Sequence, residues 1–411
     1  MSDESTGEQV YASARSVEGL LQRGRGLGAL QVSRGTDSAA SAEAVYGVVL
    51  QDWRWDSTVD DRHLYLARLI RESGLGLGPV CELLAGDADD CERGTRILEL
   101  LALSGSGEAR EALRRHVREG EHWVDVIESV AGVWPVEWWD DLADVVRGRL
   151  TGEERLLWRS EPWVRWGVGG RYAPYARSPR THVIQVGASS RRLLSVLADA
   201  GSANGEKAEA LRLLAGRPPE PGLIPLVPEL AEVNGELPLP QLARAIRRLG
   251  APAVPAAREW AVDGGPWLSW NGVLVLAEHG EVRDVPVLLE ELSAHERARL
   301  WCGPSLLADG LARFGAAASD AAPMLRRLWL RTPHSYERPA YLKALRAIAP
   351  AGLDLAYTES LWDCESNARL LGIASAPDSP YVRERLVRLR DDPMEEAEVR
   401  AAAGERLAGT S

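Results

Sequence analysis

The chain has 411 residues, of which 45% are hydrophobic and 26% are charged, and this balance excludes an intrinsically disordered protein. Its formal net charge of -12 disfavours general binding to nucleic-acid phosphates, because most of the surface repels them. The sequence shows no apolar run of membrane-spanning length and no signal-peptide pattern in residues 1–9, so we expect a cytoplasmic protein without membrane contact.

Residues 1–39 are expected to form an N-terminal segment with one helix. Within it, the run from Gly24 to Ala29 fits the letters of a dinucleotide-binding loop, G-x-G-x-x-A. That loop must follow a strand and open a helix, whereas this run follows a helical segment. The sequence therefore indicates no nucleotide site here and no other cofactor.

Residues 40–159 are predicted to form irregular helical repeats, because apolar residues recur there at helical spacing without a constant repeat length. The predicted helices cover residues 44–50, 59–70, 96–103, 109–117, 123–130 and 138–150.

Two motifs in this part place tryptophans beside paired acids. Trp53 and Trp55 precede Asp60 and Asp61, and Trp138-Trp-Asp-Asp141 repeats the arrangement. Paired carboxylates near tryptophans occur in glycosidase and base-flipping pockets. We favour a structural interpretation, in which Ser57 or Thr58 caps a helix and the acids occupy its first turn, where the helix dipole favours anions.

Residues 160–187 are predicted to be a non-helical insert, because glycine, proline and aromatic residues replace any helical stripe there. Between Arg159 and Arg180 the chain has five arginines and one acid, a basic stretch in an acidic protein. Arginine forks bind carboxylates and phosphates, and aromatic rings offer stacking surfaces. Alternatively, the insert is an internal strap whose rings pack on the helices and whose arginines pair with the chain's own acids.

If the insert binds a partner, its arginines and aromatic residues are the candidate contacts. They are Arg159, Trp163, Arg165, Trp166, Arg171, Tyr172, Tyr175, Arg177 and Arg180.

Residues 188–411 carry the strongest signal, a repeated apolar helix stripe. Three such stripes end at Leu249, Phe314 and Ile348. His279 occupies the equivalent position between the first two, so the repeat period is about 30 to 35 residues. The full stripes are Leu242, Ile246 and Leu249; Leu307, Leu311 and Phe314; and Tyr341, Leu345 and Ile348.

Glycines and prolines lie between these stripes in the order that helical hairpins require. A glycine that can stop a helix in the left-handed conformation follows three stripes, and a proline then opens the next helix. The glycines are Gly250, Gly280 and Gly315, and the prolines are Pro255, Pro286 and Pro323.

The segment Glu281-Val-Arg-Asp-Val-Pro-Val-Leu-Leu-Glu-Glu-Leu292, with apolar Val285, Leu288, Leu289 and Leu292, resembles the second helix of HEAT repeats. The resemblance covers roughly residues 188–408. It implies an all-α fold, an α-solenoid of helical hairpins stacked into a curved superhelix, usually for protein binding, and it implies no catalytic residues.

Histidines and cysteines form no metal-binding pattern in the sequence. His116 and His122 are six positions apart, which does not place them on one helix face. His279 occupies an apolar slot and is predicted to be a hydrogen-bonded core residue. The cysteines, Cys81, Cys91, Cys302 and Cys364, are predicted to be buried free thiols, because no close pair occurs. We expect no metal and no catalytic residue.

The sequence thus favours a non-enzymatic scaffold that holds a protein or peptide on a curved helical surface. A second possibility is a HEAT-like DNA glycosylase or another nucleic-acid-binding protein that uses the basic aromatic insert, although the acidic charge argues against it. A third is a role in handling a small molecule or cofactor, as in HEAT-like bilin lyases, which no residue specifically supports. Nothing in the sequence specifies the partner or the oligomeric state.

Overall fold

The computed structural model describes residues 10–35, 37–150, 160–168, 187–232 and 238–409. These residues form helices joined by turns, and none of them lies in a strand. The prediction of an all-α fold is therefore confirmed. None of the helices in the described ranges has the length and apolar character needed to cross a bilayer.

The first ten α-helices precede residue 168. They are α1 (Val17–Gln22), α2 (Gly26–Arg34), α3 (Ser38–Val49), α4 (His63–Glu72), α5 (Gly78–Leu83), α6 (Ala88–Leu103), α7 (Gly107–Glu119), α8 (Trp123–Val133), α9 (Ala143–Arg149) and α10 (Trp163–Trp166).

The next ten follow residue 187. They are α11 (Ser190–Ala198), α12 (Asn204–Ala215), α13 (Val227–Glu232), α14 (Leu242–Leu249), α15 (Val254–Asp263), α16 (Pro266–His279), α17 (Val285–Ala298), α18 (Pro304–Ala312), α19 (Ala322–Arg331) and α20 (Arg338–Ile348).

Four more complete the described chain. They are α21 (Asp354–Ser360), α22 (Ser366–Ser375), α23 (Pro380–Asp391) and α24 (Ala397–Gly409). Short 3-10 helices lie between them at Val136–Trp138, Asp140–Leu142, Pro221–Leu226, Ala251–Ala253, Val282–Asp284, Gly315–Ala321 and Ser335–Glu337.

Local sequence explains where several helices begin. The side chains of Asp37, Asp87 and Ser106 each accept a hydrogen bond from a backbone N–H in the first turn of α3, α6 and α7, which satisfies donors that a helix start leaves free. Prolines occupy the first turn of α15 and α17 as predicted.

The chain divides into two compact units. Unit 1 comprises Met1–Pro174, Leu330–Pro339 and Gly352–Ser411, and unit 2 comprises Tyr175–Trp329 and Ala340–Ala351. Within each unit a helix packs on the next one and often on the next but one. In unit 1, α6 contacts α4, α7 and α8, and in unit 2, α16 contacts α14, α15 and α18.

The predicted apolar stripes form the core of unit 2. Leu242, Ile246 and Leu249 are at most 1% exposed, and Leu307 and Leu311 are fully buried. Phe314 and Leu289 are only partly buried.

Two details of the repeat prediction were wrong. Gly250 and Gly315 have positive φ values of 65° and 52°, but the ψ of Gly250 is -145°, outside the left-handed helical region, and Gly280 has a φ of -67° and an extended conformation. His279 is not a core residue: it ends α16 with its side chain 35% exposed, and Nε2 lies 3.6 Å from the Glu278 carboxylate. His279 is the last residue of α16, so the apolar stripe does not continue beyond it.

In unit 1, residues near the two ends of the chain pack together through buried ion pairs. The Arg25 guanidinium binds both carboxylate oxygens of Glu359 at 2.7 Å, although the two residues are far apart in sequence. Further buried pairs are Arg68 with Asp392 and Glu395, Arg338 with Asp363, and Arg369 with Glu395. Each partner satisfies the other's charge, so removing one side chain of a pair is costly.

Candidate functional site: a charged groove beside a tryptophan cluster

The described part of the insert, residues 160–168, contains the one-turn helix α10, where the sequence predicted no helix. Trp163 is fully buried and Trp166 is 7% exposed. The ring of Trp163 packs edge-on against Trp123 at 6.3 Å, and that of Trp166 against Trp139 at 5.6 Å. Both rings belong to the core of unit 1 and present no stacking surface to a partner.

Polar contacts fix both indoles. Trp163 Nε1 donates to Glu128 Oε1 on α8, and Trp166 Nε1 donates to Asp140 Oδ1 at 3.0 Å. A buried indole N–H needs such a partner. These contacts hold residues 163–166 against the α8 to α9 region, as the strap interpretation of the insert expects.

Three residues of the predicted site are described by the structure, and among them Arg165 faces solvent, with 43% of its side chain exposed. Its guanidinium lies 5.8 Å from the centre of the Trp139 ring and 3.7 Å from the Glu161 carboxylate. The other predicted contacts lie outside the described residues: Arg159, Arg171, Tyr172, Tyr175, Arg177 and Arg180.

Next to this tryptophan cluster, a groove with a volume of about 440 Å³ runs between α6 and α8. Ligand pockets are typically roughly 300–1,000 Å³. The groove is lined by Ala88, Asp89, Cys91, Glu92, Thr95, Arg96, His122, Asp125, Val126, Glu128 and Ser129.

The rim of the groove is acidic. Asp89, Glu92 and Asp125 are exposed, and none of the three forms an ion pair within the described part of the chain. Glu128 is partly buried and accepts the Trp163 indole. Arg96, 45% exposed, is the arginine among the lining residues, so carboxylates outnumber cations.

Two buried polar side chains of α6 lie at or beside the groove, of which Thr95 lines it and Glu99 does not. Thr95 is 2% exposed. The Cys91 thiol is the hydrogen-bonding neighbour of its hydroxyl, which has no oxygen or nitrogen partner among the described residues. One turn further along α6, Glu99 is also 2% exposed. Its Oε2 faces Arg96 at 3.4 Å, and the Ser129 hydroxyl hydrogen-bonds the same carboxylate.

Burial raises the pKa of Glu99, even though the Ser129 hydroxyl and the Arg96 guanidinium act in the opposite direction. Burial has this effect because the charge of an enclosed carboxylate is poorly solvated. The groove therefore has negative charge at its rim, and the described residues contain no cluster of side chains placed to hold a metal ion.

Sequence reasoning did not identify this groove, although part of its pattern is visible in the sequence. Asp89, Glu92 and Arg96 lie at i, i+3 and i+7 on α6, and Asp125 and Ser129 lie at i and i+4 on α8. Such spacing places each set on one helix face. It is equally typical of a solvated face, and only the packing of α6 on α8 brings the two sets together.

The Trp53 to Asp61 motif has a structural role, but not the predicted one. Helix α4 begins at His63, so neither Ser57 nor Thr58 caps it, and Asp60 and Asp61 precede its first turn. Asp60 is 2% exposed and accepts hydrogen bonds from five donors. They are the backbone N–H groups of Trp55, Asp56 and Tyr336, His334 Nδ1 and Ser335 Oγ.

Asp140 and Asp141 lie in a 3-10 turn before α9, and Asp141 pairs with Arg114 at 2.6 Å. The acids of both motifs thus have structural partners within unit 1. All four cysteines are free thiols; Cys91 and Cys364 are buried as predicted, but Cys302 is exposed.

In comparisons with known proteins, neither a protein-family model nor a curated protein sequence matches the chain.

Proposed function

We propose that the protein is a non-enzymatic interaction scaffold, an α-solenoid of HEAT-like helical hairpins that binds a protein or peptide partner. The observation that carries the proposal is the groove between α6 and α8. These two helices contact each other although α7 lies between them in the sequence. Stacked hairpins repeatedly create grooves of this kind, and repeat proteins use such surfaces for binding.

Charge supports a protein partner over a nucleic acid. The rim residues Asp89, Glu92 and Asp125 repel phosphates, and the buried rings of Trp163 and Trp166 are unavailable for base stacking. A cytoplasmic location is part of the proposal, in keeping with the four free thiols.

Site-specific photo-crosslinking tests the proposal. A photoreactive amino acid replaces Glu92 on the groove rim in one variant, and Glu398, exposed on α24, in a matched control. In a cell lysate, we expect the variant at position 92 to crosslink a defined protein that the variant at 398 does not. That protein is then purified, and its affinity for the unmodified chain is measured.

Two results would count against the scaffold. The groove would no longer support the proposal if positions 92 and 398 gave identical crosslinks. The same holds if the captured protein had no affinity for the unmodified chain. Crosslinks to nucleic acid, together with salt-dependent binding to duplex DNA, would favour the nucleic-acid alternative.

A further inference from the structure

Residues 10–13, which we call the N-terminal arm, fold back along the first helix of unit 1. The arm joins α1 through a turn in which the backbone N–H of Ser16 donates to Ser13 O at 3.0 Å. Its backbone then passes directly over Gly19. A Cβ at Gly19 would lie 2.0 Å from Ser13 O and 2.7 Å from Ala12 O, so a side chain at this position would exclude the arm. The surface of α1 is therefore shaped to accept another stretch of backbone.

Two buried side chains of unit 1 bind the backbone of one arm residue. The N–H of Ala12 donates to Gln22 Oε1 at 2.7 Å, and the Arg23 guanidinium donates to the carbonyl oxygen of Ala12 at 2.9 Å. Gln22 is 2% exposed and Arg23 is 8% exposed. An acceptor and a donor that bind one N–H and one C=O recognise a backbone, whatever side chain it carries. Main-chain hydrogen bonds of this kind provide affinity in many peptide-binding sites.

The Tyr11 side chain adds a specific contact to these backbone contacts. Its ring lies 5.5 Å from the Trp53 ring and 5.1 Å from the Arg23 guanidinium, and its hydroxyl donates to Trp53 O at 2.9 Å. Burial raises the pKa of this phenol to about 12, so it remains a neutral donor at physiological pH. Val10, by contrast, is 85% exposed. The arm is thus held by one aromatic side chain and the backbone that follows it.

The side chains that bind the arm have further partners in unit 1, which orient them whether or not the arm is bound. These further contacts join Arg23 to Gly19 O and Arg331 O, Gln22 to Glu18, and the Trp53 indole to Gly47 O, at 2.7–3.3 Å. Without the arm, the surface would keep an acceptor, a donor and an aromatic wall in place. A buried guanidinium N–H that loses its acceptor is costly, and a preorganised surface binds a replacement at a lower entropic cost.

We propose that this surface is a peptide-binding site for a non-helical partner segment that carries a tyrosine, and that the N-terminal arm occupies it as an internal ligand. This arm site consists of Gly19, Gln22, Arg23 and Trp53. Because the arm is covalently attached, it acts at a high effective concentration and keeps the site closed to a weak competitor. Weakening the arm opens the site. The arm site shares no residue with the α6–α8 groove, so its test does not depend on the function proposed for that groove.

Fluorescence anisotropy with the full chain tests the proposal. The probe is the peptide Val-Tyr-Ala-Ser-amide, the sequence of the arm, labelled at its amino end, where the arm is exposed. Two variants weaken the arm and leave the site intact: Tyr11→Ala removes the ring, and Ala12→Pro removes the N–H that Gln22 accepts. We expect each variant to bind the peptide at least about tenfold more tightly than the wild type does.

An arm that is a permanent part of the fold predicts a different result. Tyr11→Ala and Ala12→Pro would then lower Tm without any gain in affinity for the peptide, and this result overturns the proposal. Peptide controls test the recognition itself. We expect alanine in place of the tyrosine to abolish binding, and phenylalanine to weaken it about fivefold through the loss of one hydrogen bond. Binding that ignores the tyrosine also overturns the proposal.

A glycine substitution locates the site. Added to Tyr11→Ala, the change Gly19→Ala is expected to weaken the peptide at least tenfold, about the effect of blocking the path of its backbone, although alanine favours the helix. Gly132→Ala on α8, where a Cβ meets no atom within 4 Å, is the matched control and should leave affinity unchanged. Full binding by the Gly19→Ala double variant would show that the peptide binds elsewhere.

Light scattering distinguishes a second copy of the chain from a separate partner. We expect the wild type and the Gly19→Ala variant to have the same molar mass at all concentrations. A wild-type dimer that Gly19→Ala abolishes would show that the arms of two copies exchange, and it would overturn the assignment of the site to a separate partner.

Discussion

His334 Nδ1 lies 2.8 Å from Asp60 Oδ1, an ion pair that joins two residues 274 positions apart in the sequence of unit 1. Both side chains are at most 5% exposed. Burial alone would raise the pKa of Asp60, but the hydrogen bond from His334 and the charge of Arg62 lower it. Burial alone would lower the pKa of His334, but its contacts with Asp60 raise it.

Replacing Asp60 by Asn is therefore expected to destabilise unit 1 in a pH-dependent way. Breaking a buried pair costs about 3–5 kcal/mol. The pKa of His334 is raised in the folded state. The ionic part of the stabilisation is therefore fully present below the ordinary histidine pKa of about 6.5. It is lost as the pH rises through the folded-state pKa. Thermal melts of wild type and variant should differ more at pH 6 than at pH 9, and a pH-independent difference would contradict the pairing.

The buried carboxylate of Glu365 also makes stability fall as pH rises, because its ionisation is unfavourable in the folded state. Burial first of all, and then the nearby Asp363 carboxylate, raise its pKa to about 7, against the Ser335 hydroxyl and the Arg338 charge. The folded state thus binds a proton that the unfolded chain releases near its ordinary pKa of about 4.3, so this residue lowers stability progressively as pH rises from there to about 7.

Glu365→Gln, which cannot ionise, should accordingly match the wild type in stability at pH 4 and exceed it at pH 8. The expected gain is on the order of 3 kcal/mol, since one pKa unit corresponds to about 1.4 kcal/mol. Urea denaturation at both pH values measures it. Equal stability at pH 8 would show that the Glu365 carboxylate is well solvated.

The sequence predicted local features of the fold better than long-range ones. The stripe of Leu242, Ile246 and Leu249 was recognisable because helical periodicity is a local property. The pairing of Arg25 with Glu359 was not, because two ionisable residues 334 positions apart leave no joint pattern in a single sequence. For the same reason the predicted division into consecutive segments did not anticipate that residues near both chain ends share unit 1.

The candidate sites show the same limit. A tryptophan that stacks on a ligand and one that fills a core have the same sequence signal, so the burial of Trp163 could not be read from the insert. The acids of α6 and α8 were visible, but the groove that they line depends on how the two helices pack.

The core face of α14 can be tested with a matched pair of acidic substitutions. Ile246 is fully buried, so Ile246→Asp places an unpaired carboxylate in the core, and we expect a loss of more than about 4 kcal/mol. Glu290 is exposed on α17, with its side chain 74% accessible, and Glu290→Asp should change stability by less than about 0.5 kcal/mol. Similar shifts in Tm for the two variants would mean that the buried face is wrongly assigned.

The basic insert remains a predicted partner-binding element, and a triple variant tests it. The variant changes Arg165, Arg171 and Arg177 together to Ala. Arg165 makes a long, exposed ion pair with Glu161 at 3.7 Å, and the other two arginines lie outside the described residues. Exposed pairs contribute little to stability. We therefore expect a nearly unchanged Tm together with weaker partner capture, most evident at low salt, because screening removes the same attraction from the wild type.

The strap interpretation of the same arginines predicts a different outcome. If they tie the insert to the protein's own acids, the triple variant should melt earlier or be cleaved faster by protease near Gly167, with no selective loss of binding. Duplex DNA is the control ligand: affinity for it that falls steeply with salt and disappears in the variant would assign the arginines to phosphate binding. A stable, protease-resistant variant that captures every wild-type partner would exclude a binding role for these three side chains, and the α6–α8 groove would then be the remaining candidate surface.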